Sequence, residues 1–130
     1  MALNTKTYSD LDLTFRRTPG KGDVAMSYNE SAVIRSIKNL LYTNKYDRLF
    51  QPGISSGLSD LLFEPVNPIT ASLIQDEIIR TISNYETRAS VDNVNVISMP
   101  DQNYFVASVS IFIGNNVQPT SFNLILKRVR

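Results

Sequence analysis

The sequence predicts an α+β domain: two to three helices packed on one face of a small, mainly antiparallel sheet, with the main strands C-terminal. Three observations carry this. Residues 70–88 place apolar side chains at helical spacing. From Ala89 onward the apolar period changes to two. The strands that follow are consecutive and joined by short turns, which favours an antiparallel meander. Helices first and strands last is the α+β order. A chain of 130 residues suits one domain with a real core. We read residues 1–28 as an N-terminal arm and 29–130 as a single domain.

In the arm, Tyr8–Phe15 alternates apolar and polar side chains, as a short extended segment does. Arg16–Asp23 is a loop on its Gly and Pro content, and Val24–Ser27 is a second short strand. Asn29 caps a first helix running from Glu30 to about Tyr42. Ala32 or Val33, Ile37, Leu40 and Leu41 form its apolar face; Arg35, Lys38 and Asn39 form its wet one. Leu49–Ile54 is a turn with apolar anchors on both sides, and Pro52-Gly53 suits the central pair of a type II turn. Ser56–Phe63 is a short helix that stops at Glu64-Pro65, because the residue before a proline resists the helical region.

The main helix follows. Thr70 is its expected N-cap, with Pro68 just upstream. Ala71, Ile74, Ile78, Ile82 and Tyr85 fall on one stripe, which Ile79 widens. Asp76 and Arg80 stand one turn apart, acid before base, the favourable order. Val91–Ser98 is then a strand with Val94 and Val96 on one face, and Pro100–Asn103 is a turn. The best strand has Phe105, Ala107, Val109, Ile111 and Ile113 alternating with Tyr104, Val106, Ser108, Ser110 and Phe112. Gly114–Asn116 opens a loop to Pro119. In a last strand Phe122, Leu124 and Leu126 alternate with Asn123, Ile125 and Lys127.

The apolar fraction is 42% and the charged fraction 19%, with a net charge of +1. That balance gives no bulk electrostatic footprint for nucleic acid, an anionic membrane or an acidic substrate. There is no cysteine, so disulfide, thiolate and cysteine–metal chemistry are excluded. There is no histidine, which removes the commonest general base and metal ligand. No cofactor or metal is expected. Met1–Tyr8 has no signal-like apolar region and no run approaches a membrane span, so we expect an intracellular product or part of an assembly built there.

Carboxylates are the remaining acid–base groups. Asp76 and Glu77 are adjacent on a helix and point about 100° apart, so they do not converge. Glu64 and Glu86 lie beside loops. A glycosidase would need two carboxyls facing one substrate roughly 5–10 Å apart. The basic ends, Arg16-Arg17 and Lys127–Arg130, read as solvated charge. Glu86 and Arg88 sit where the main helix hands over to the sheet. They read either as an exposed pair worth under about 1 kcal/mol, or as a docking point that offers the Arg fork to a partner.

At these residues the sequence resembles the baseplate wedge proteins of contractile-tailed phages, a family long labelled "lysozyme-like", with relatives in pyocin-type particles and type VI secretion baseplates. The resemblance runs from about Val24 to Val96. It includes Ala32–Leu41 followed by Tyr42-Thr43, then Arg48–Leu58, Leu61–Pro65, and Ile78–Tyr85 closing on Glu86-Thr87-Arg88. The family hallmark there is Glu-Pro-Arg; this chain keeps Glu86 and Arg88 and has Thr87 for the proline. The family's F-x-P-x-x-G spacing is altered too, since Gly53 follows Pro52 directly.

The resemblance implies a structural protein of the virion tail baseplate, assembled in the host cytoplasm and present in several copies in a symmetric particle. Its implied partners are the other wedge subunits and the tail sheath protein, whose first ring it would template by strand addition. No nucleic-acid or membrane partner is implied. The expected protein-interaction residues are Glu86, Thr87 and Arg88 at the junction, and Leu124, Ile125 and Leu126 in the last strand. The alternative is a peptidoglycan-cleaving hydrolase of the tail.

Overall fold

The computed structural model describes residues 9–11, 26–44, 47–51 and 53–128. Two short strands, β1 (Ser9–Leu11) and β2 (Met26–Tyr28), pair antiparallel as a ribbon that contacts the first helix, α1 (Asn29–Tyr42). One turn of helix, α2 (Leu58–Leu61), precedes the long helix α3 (Pro68–Tyr85). The sheet then forms from β3 (Ala89–Met99), β4 (Tyr104–Ile113) and β5 (Thr120–Lys127), in that spatial order and antiparallel throughout. This is the expected α+β architecture. The arm's remaining segments, including Arg16–Asp23, Val24 and Ala25, lie outside the described residues.

The core forms where the two periodicities meet. Ile74, Ile78 and Ile82 of α3 are fully buried, and so are Phe105, Val109 and Ile111 of β4. Val33, Ile37 and Leu41 of α1 close the same cluster from the side. Each such aliphatic side chain contributes about 1.5–3 kcal/mol by leaving water. Lys38, on the wetter side of α1, holds its ammonium 5.7 Å from the centre of the Phe122 ring, within cation–π reach.

Several local details differ from expectation. The cap of α3 is Asn67, whose Oδ1 accepts from the Thr70 N–H at 2.7 Å. Pro68 is therefore the first helical residue, where its missing N–H costs nothing, and Thr70 is buried one turn inside. Arg80 pairs with Glu77, not Asp76. Tyr85 leaves the apolar stripe: it is exposed, and its hydroxyl donates to the Gly53 carbonyl at 3.0 Å. The turn before it is closed by Ile54 N–H to Gln51 O at 3.1 Å, although Pro52 lies outside the described residues. Leu49 and Phe50 do not anchor that turn; they are 90% and 96% exposed. The β3–β4 hairpin turns through a single 3-10 turn, Pro100–Gln102, and Asn103 with φ 55°, a left-handed conformation that Asn tolerates better than most.

Candidate protein-docking site

The corner between α3 and β3 is built around Glu86. The helix ends because Glu86 turns extended, with φ −107° and ψ 97°, while its N–H still donates to Ile82 O at 3.0 Å. That swing carries its carboxylate inward, to 6% exposure. Four donors meet it there: Ser36 Oγ from α1 at 2.9 Å, and from Arg88 the backbone N–H at 3.2 Å, Nε at 2.8 Å and Nη2 at 3.0 Å. The guanidinium thus spans both carboxylate oxygens, a bidentate geometry. The Arg88 carbonyl in turn accepts from Gly114 N–H at 3.0 Å, at the exit of β4. Gly114 has φ 58°, which favours a residue without Cβ.

Burial by itself would raise the Glu86 pKa. The Arg88 side-chain bond, the Ser36 hydroxyl, the Arg88 N–H and the Arg88 charge outweigh it and hold the carboxyl below its ordinary value. Glu86 is therefore an ionised, fully engaged strut joining α1, the end of α3 and the start of β3. Arg88 is 27% exposed and Thr87 is exposed, so the outer side of the corner consists of these two and Tyr85.

A second carboxylate staple stands further back along α3. Glu77 Oε1 accepts the Gly57 N–H at 2.8 Å, and Thr81 Oγ1 donates to the same oxygen at 3.4 Å. Arg80 Nε reaches Oε2 at 3.1 Å, and its Nη2 closes the pair at Oε1. Here too burial pushes the carboxyl up, while Arg80, Gly57 and Thr81 together hold it below the ordinary value. The contact ties the loop before α2 to α3. Next to it, the buried Ser56 donates its hydroxyl to the Leu41 carbonyl and its N–H bonds to Thr43 O at 3.0 Å, fixing the same loop to the end of α1.

The last strand is at a sheet edge. β5 pairs with β4 without a break, from Tyr104↔Lys127 to Ile111↔Thr120. Leu124 and Leu126 point into the core, and Ile125 points out, 59% exposed. Of the expected interaction residues in this strand, then, Ile125 alone offers a side chain, and Leu124 and Leu126 offer only backbone. The structure brings Glu86 and Arg88 together; β5 is a separate surface. Glu64, the other weighed carboxylate, is exposed on the turn after α2. Sequence reasoning did not find Ser36, fifty positions from Glu86. Its one signal was a small hydroxyl next to the apolar Ile37 on a helix face.

The family profile described as baseplate wedge protein gp25 matches residues 27–115. A curated relative, baseplate wedge protein gp25 of Enterobacteria phage T4, is 32% identical over 116 residues, covering 89% of this chain and 87% of that protein. Among solved structures, the anti-feeding prophage baseplate, 6-fold symmetrised, contains a chain with TM-score 0.72 at 21% identity, covering 85% of this chain and 88% of that one. A crystal structure of a putative tail lysozyme from Geobacter sulfurreducens gives 0.65 at 22% identity, covering 79% and 92%. The postcontracted pyocin R2 baseplate gives 0.57 at 18% identity, covering 88% and 97%. These three likenesses show a shared fold. The profile match over most of the helices and the sheet, with the T4 relative at 32% identity, shows that the chain belongs to the baseplate wedge protein gp25 family.

Proposed function

We propose that this protein is a non-enzymatic joint of a contractile-tail baseplate, in the virion tail of a phage or phage-like particle. The α3–β3 corner meets a neighbouring wedge subunit, and the outer edge of β5 receives a strand of the sheath protein. The observation that carries the reading is the contrast between the two sheet edges. The β3 edge is interrupted by a bulge between Val91 and Asn93, leaving the exposed Asp92 out of register, which are devices that blunt an edge. The β5 edge is smooth over eight residues, with charge only at its end, at Lys127 and beyond. A smooth edge supplies main-chain donors and acceptors to an added strand.

At the corner, Glu86 orders and Arg88 with Thr87 presents. A buried carboxylate engaged by four donors has little left for a partner, so its role is to fix the Arg88 backbone and guanidinium. The hydrolase alternative draws on the name of the Geobacter neighbour. Against it, a glycosidase acid must be protonated at work, which needs a raised pKa, and Glu86 is shifted the other way.

The test is a pull-down of the purified protein with each other baseplate subunit and with the sheath protein, run beside a wall-lysis assay on the same preparation. Binding without lysis is expected. Arg88→Lys keeps a charge beside Glu86 and loses the planar fork; it should stay folded, at a cost of about 1 kcal/mol, and bind a wedge subunit about tenfold more weakly. Undiminished binding by this variant would remove the corner from the reading. Lysis that disappears in Glu64→Gln or Glu86→Gln, while circular dichroism shows the variant folded, would replace the reading with the hydrolase.

A further inference from the structure

The solvent-facing side of the sheet is divided in two. Register places Asn95, Ser108 and Asn123 in one row across the three strands, and Asn93, Ser110 and Ser121 in the next. These two rows are polar, with half-buried Phe112 beyond them on the same face, and Ser110 and Ser121 share a hydrogen bond at 2.8 Å. The other half reverses the pattern. Ile97, Val106 and Ile125 form an apolar row from edge to edge, and Met99, Tyr104 and Lys127 form the row beyond it. Ile97 is 48% exposed, Ile125 59% and Met99 38%. Apolar residues exposed singly are ordinary; these stand in one continuous row across all three strands, beside two polar rows of the same face.

From the polar rows and this apolar half together, we infer that the Ile97–Val106–Ile125 row, with Met99 and Tyr104, is a docking surface for an amphipathic helix of another baseplate subunit, one bearing an acidic residue on the flank that meets Lys127. This rests on the reading of the chain as a baseplate joint. Three arguments choose the occupant. The first is charge: Lys127 is the one charged side chain of the two rows, and it stands exposed at their β5 end. The second is shape. Two rows about 7 Å apart, across strands whose outer axes are about 10 Å apart, match about two turns of a helix about 10 Å wide. A sheet stacked on this face would need apolar rows along the full strand length, and the two polar rows interrupt them.

The third argument is size. With side chains included, the patch covers on the order of 200 Å² in projection, against about 800 Å² per partner in a standard stable interface. It cannot hold a second copy of this chain alone. It can secure a helix whose subunit is already held elsewhere in the wedge. The inner face of the sheet is covered by α3, so a docked helix would complete a three-layer arrangement, helix–sheet–helix.

The test uses the full chain. A photo-crosslinking residue is placed at Ile97 or Ile125, the protein is assembled with the individually purified wedge subunits of its own particle, and crosslinked peptides are sequenced. Crosslinks to an amphipathic, acidic helical segment of one subunit are expected. Ile97→Asp with Ile125→Asp should weaken binding of that subunit at least about tenfold, and Lys127→Glu should weaken it and flatten its salt dependence. Both sets of positions are exposed, so melting temperatures should stay near wild type. Binding of sheath protein and sensitivity to Arg88→Lys are followed in parallel. If those persist while the double aspartate variant binds wedge subunits as wild type does, this inference fails alone. If the wild type binds no wedge subunit, the joint reading fails with it. Crosslinks only between copies of this chain, or to an extended or basic segment, would also overturn it.

Discussion

At the scale of single residues, Glu86 makes the strongest demand on the fold. Its carboxylate is buried and paired on both oxygens, so its value depends on staying ionised. Its folded pKa lies below the ordinary 4.5, so the stabilisation is fully present above that value and is lost as pH falls through the lower, folded one. Glu77 has the same sign. Urea unfolding should therefore give a nearly constant stability from neutral pH down to about pH 5 and a falling one below the ordinary carboxylate pKa. Glu86→Gln should cost about 2–3 kcal/mol at pH 7, because the charge-assisted bonds that its carboxylate accepts from Arg88 and Ser36 are lost. The acid limb of its profile should be shallower than wild type. An equal slope in the variant would assign the acid sensitivity to other carboxylates. The place of this corner was readable from the chain, because Glu86 and Arg88 stand where helical period gives way to strand period. What they do there was not: a side chain that pairs within two residues and also fifty away requires the fold to be known.

At the scale of elements, the long helix and the three strands were legible because their apolar periods are long and uninterrupted. Ala71, Ile74, Ile78 and Ile82 are buried where the stripe puts them, and so are Phe105, Ala107, Val109, Ile111 and Ile113. The ends of elements were less so. Asn67-Pro68 is itself a good start signal, a cap followed by Pro at N1, but Thr70 offered a competing hydroxyl within the same turn. The Arg80 partner was decided by a distant loop: Gly57 approaches α3, recruits Glu77, and so fixes the carboxylate that Arg80 meets. A Cβ on Gly57 would stand 3.1 Å from Glu77 Oε1 and 3.3 Å from its Cδ. The backbone there, φ −87° and ψ 12°, is open to any residue, so Gly57→Ala would gain about 0.4–1 kcal/mol through the unfolded chain. Displacing Glu77 from Gly57 N–H, Arg80 and Thr81 costs more, since bonds to a charged group are worth about 1.5–3 kcal/mol. We expect a net loss of about 1 kcal/mol by chemical denaturation, which Gly57→Ala combined with Glu77→Ala should not exceed additively. A stabilised Gly57→Ala would mean that the carboxylate moves aside without losing its partners.

At the scale of the whole molecule, the question is which surface of the sheet is left for assembly. α3 covers one face, and the bulge at Asp92 interrupts one edge. What remains is the β5 edge and the apolar half of the outer face, and Ile125 belongs to both. Backbone chemistry separates them. Successive N–H groups in a strand point to opposite sides, so of Leu124 and Ile125 one donates inward to β4 and the other outward to the free edge. Proline at the inward position removes a ladder bond in the domain itself and should unfold or strongly destabilise it. Proline at the outward position removes only the donor that an added strand would use, which edge strands tolerate. One of Leu124→Pro and Ile125→Pro should therefore keep wild-type circular dichroism and fail to nucleate sheath, while Ile125→Asp, which alters the face and leaves the backbone intact, should nucleate normally. Sheath growth on the folded proline variant would count against strand addition. Failure of Ile125→Asp instead would move sheath contact from the edge to the face.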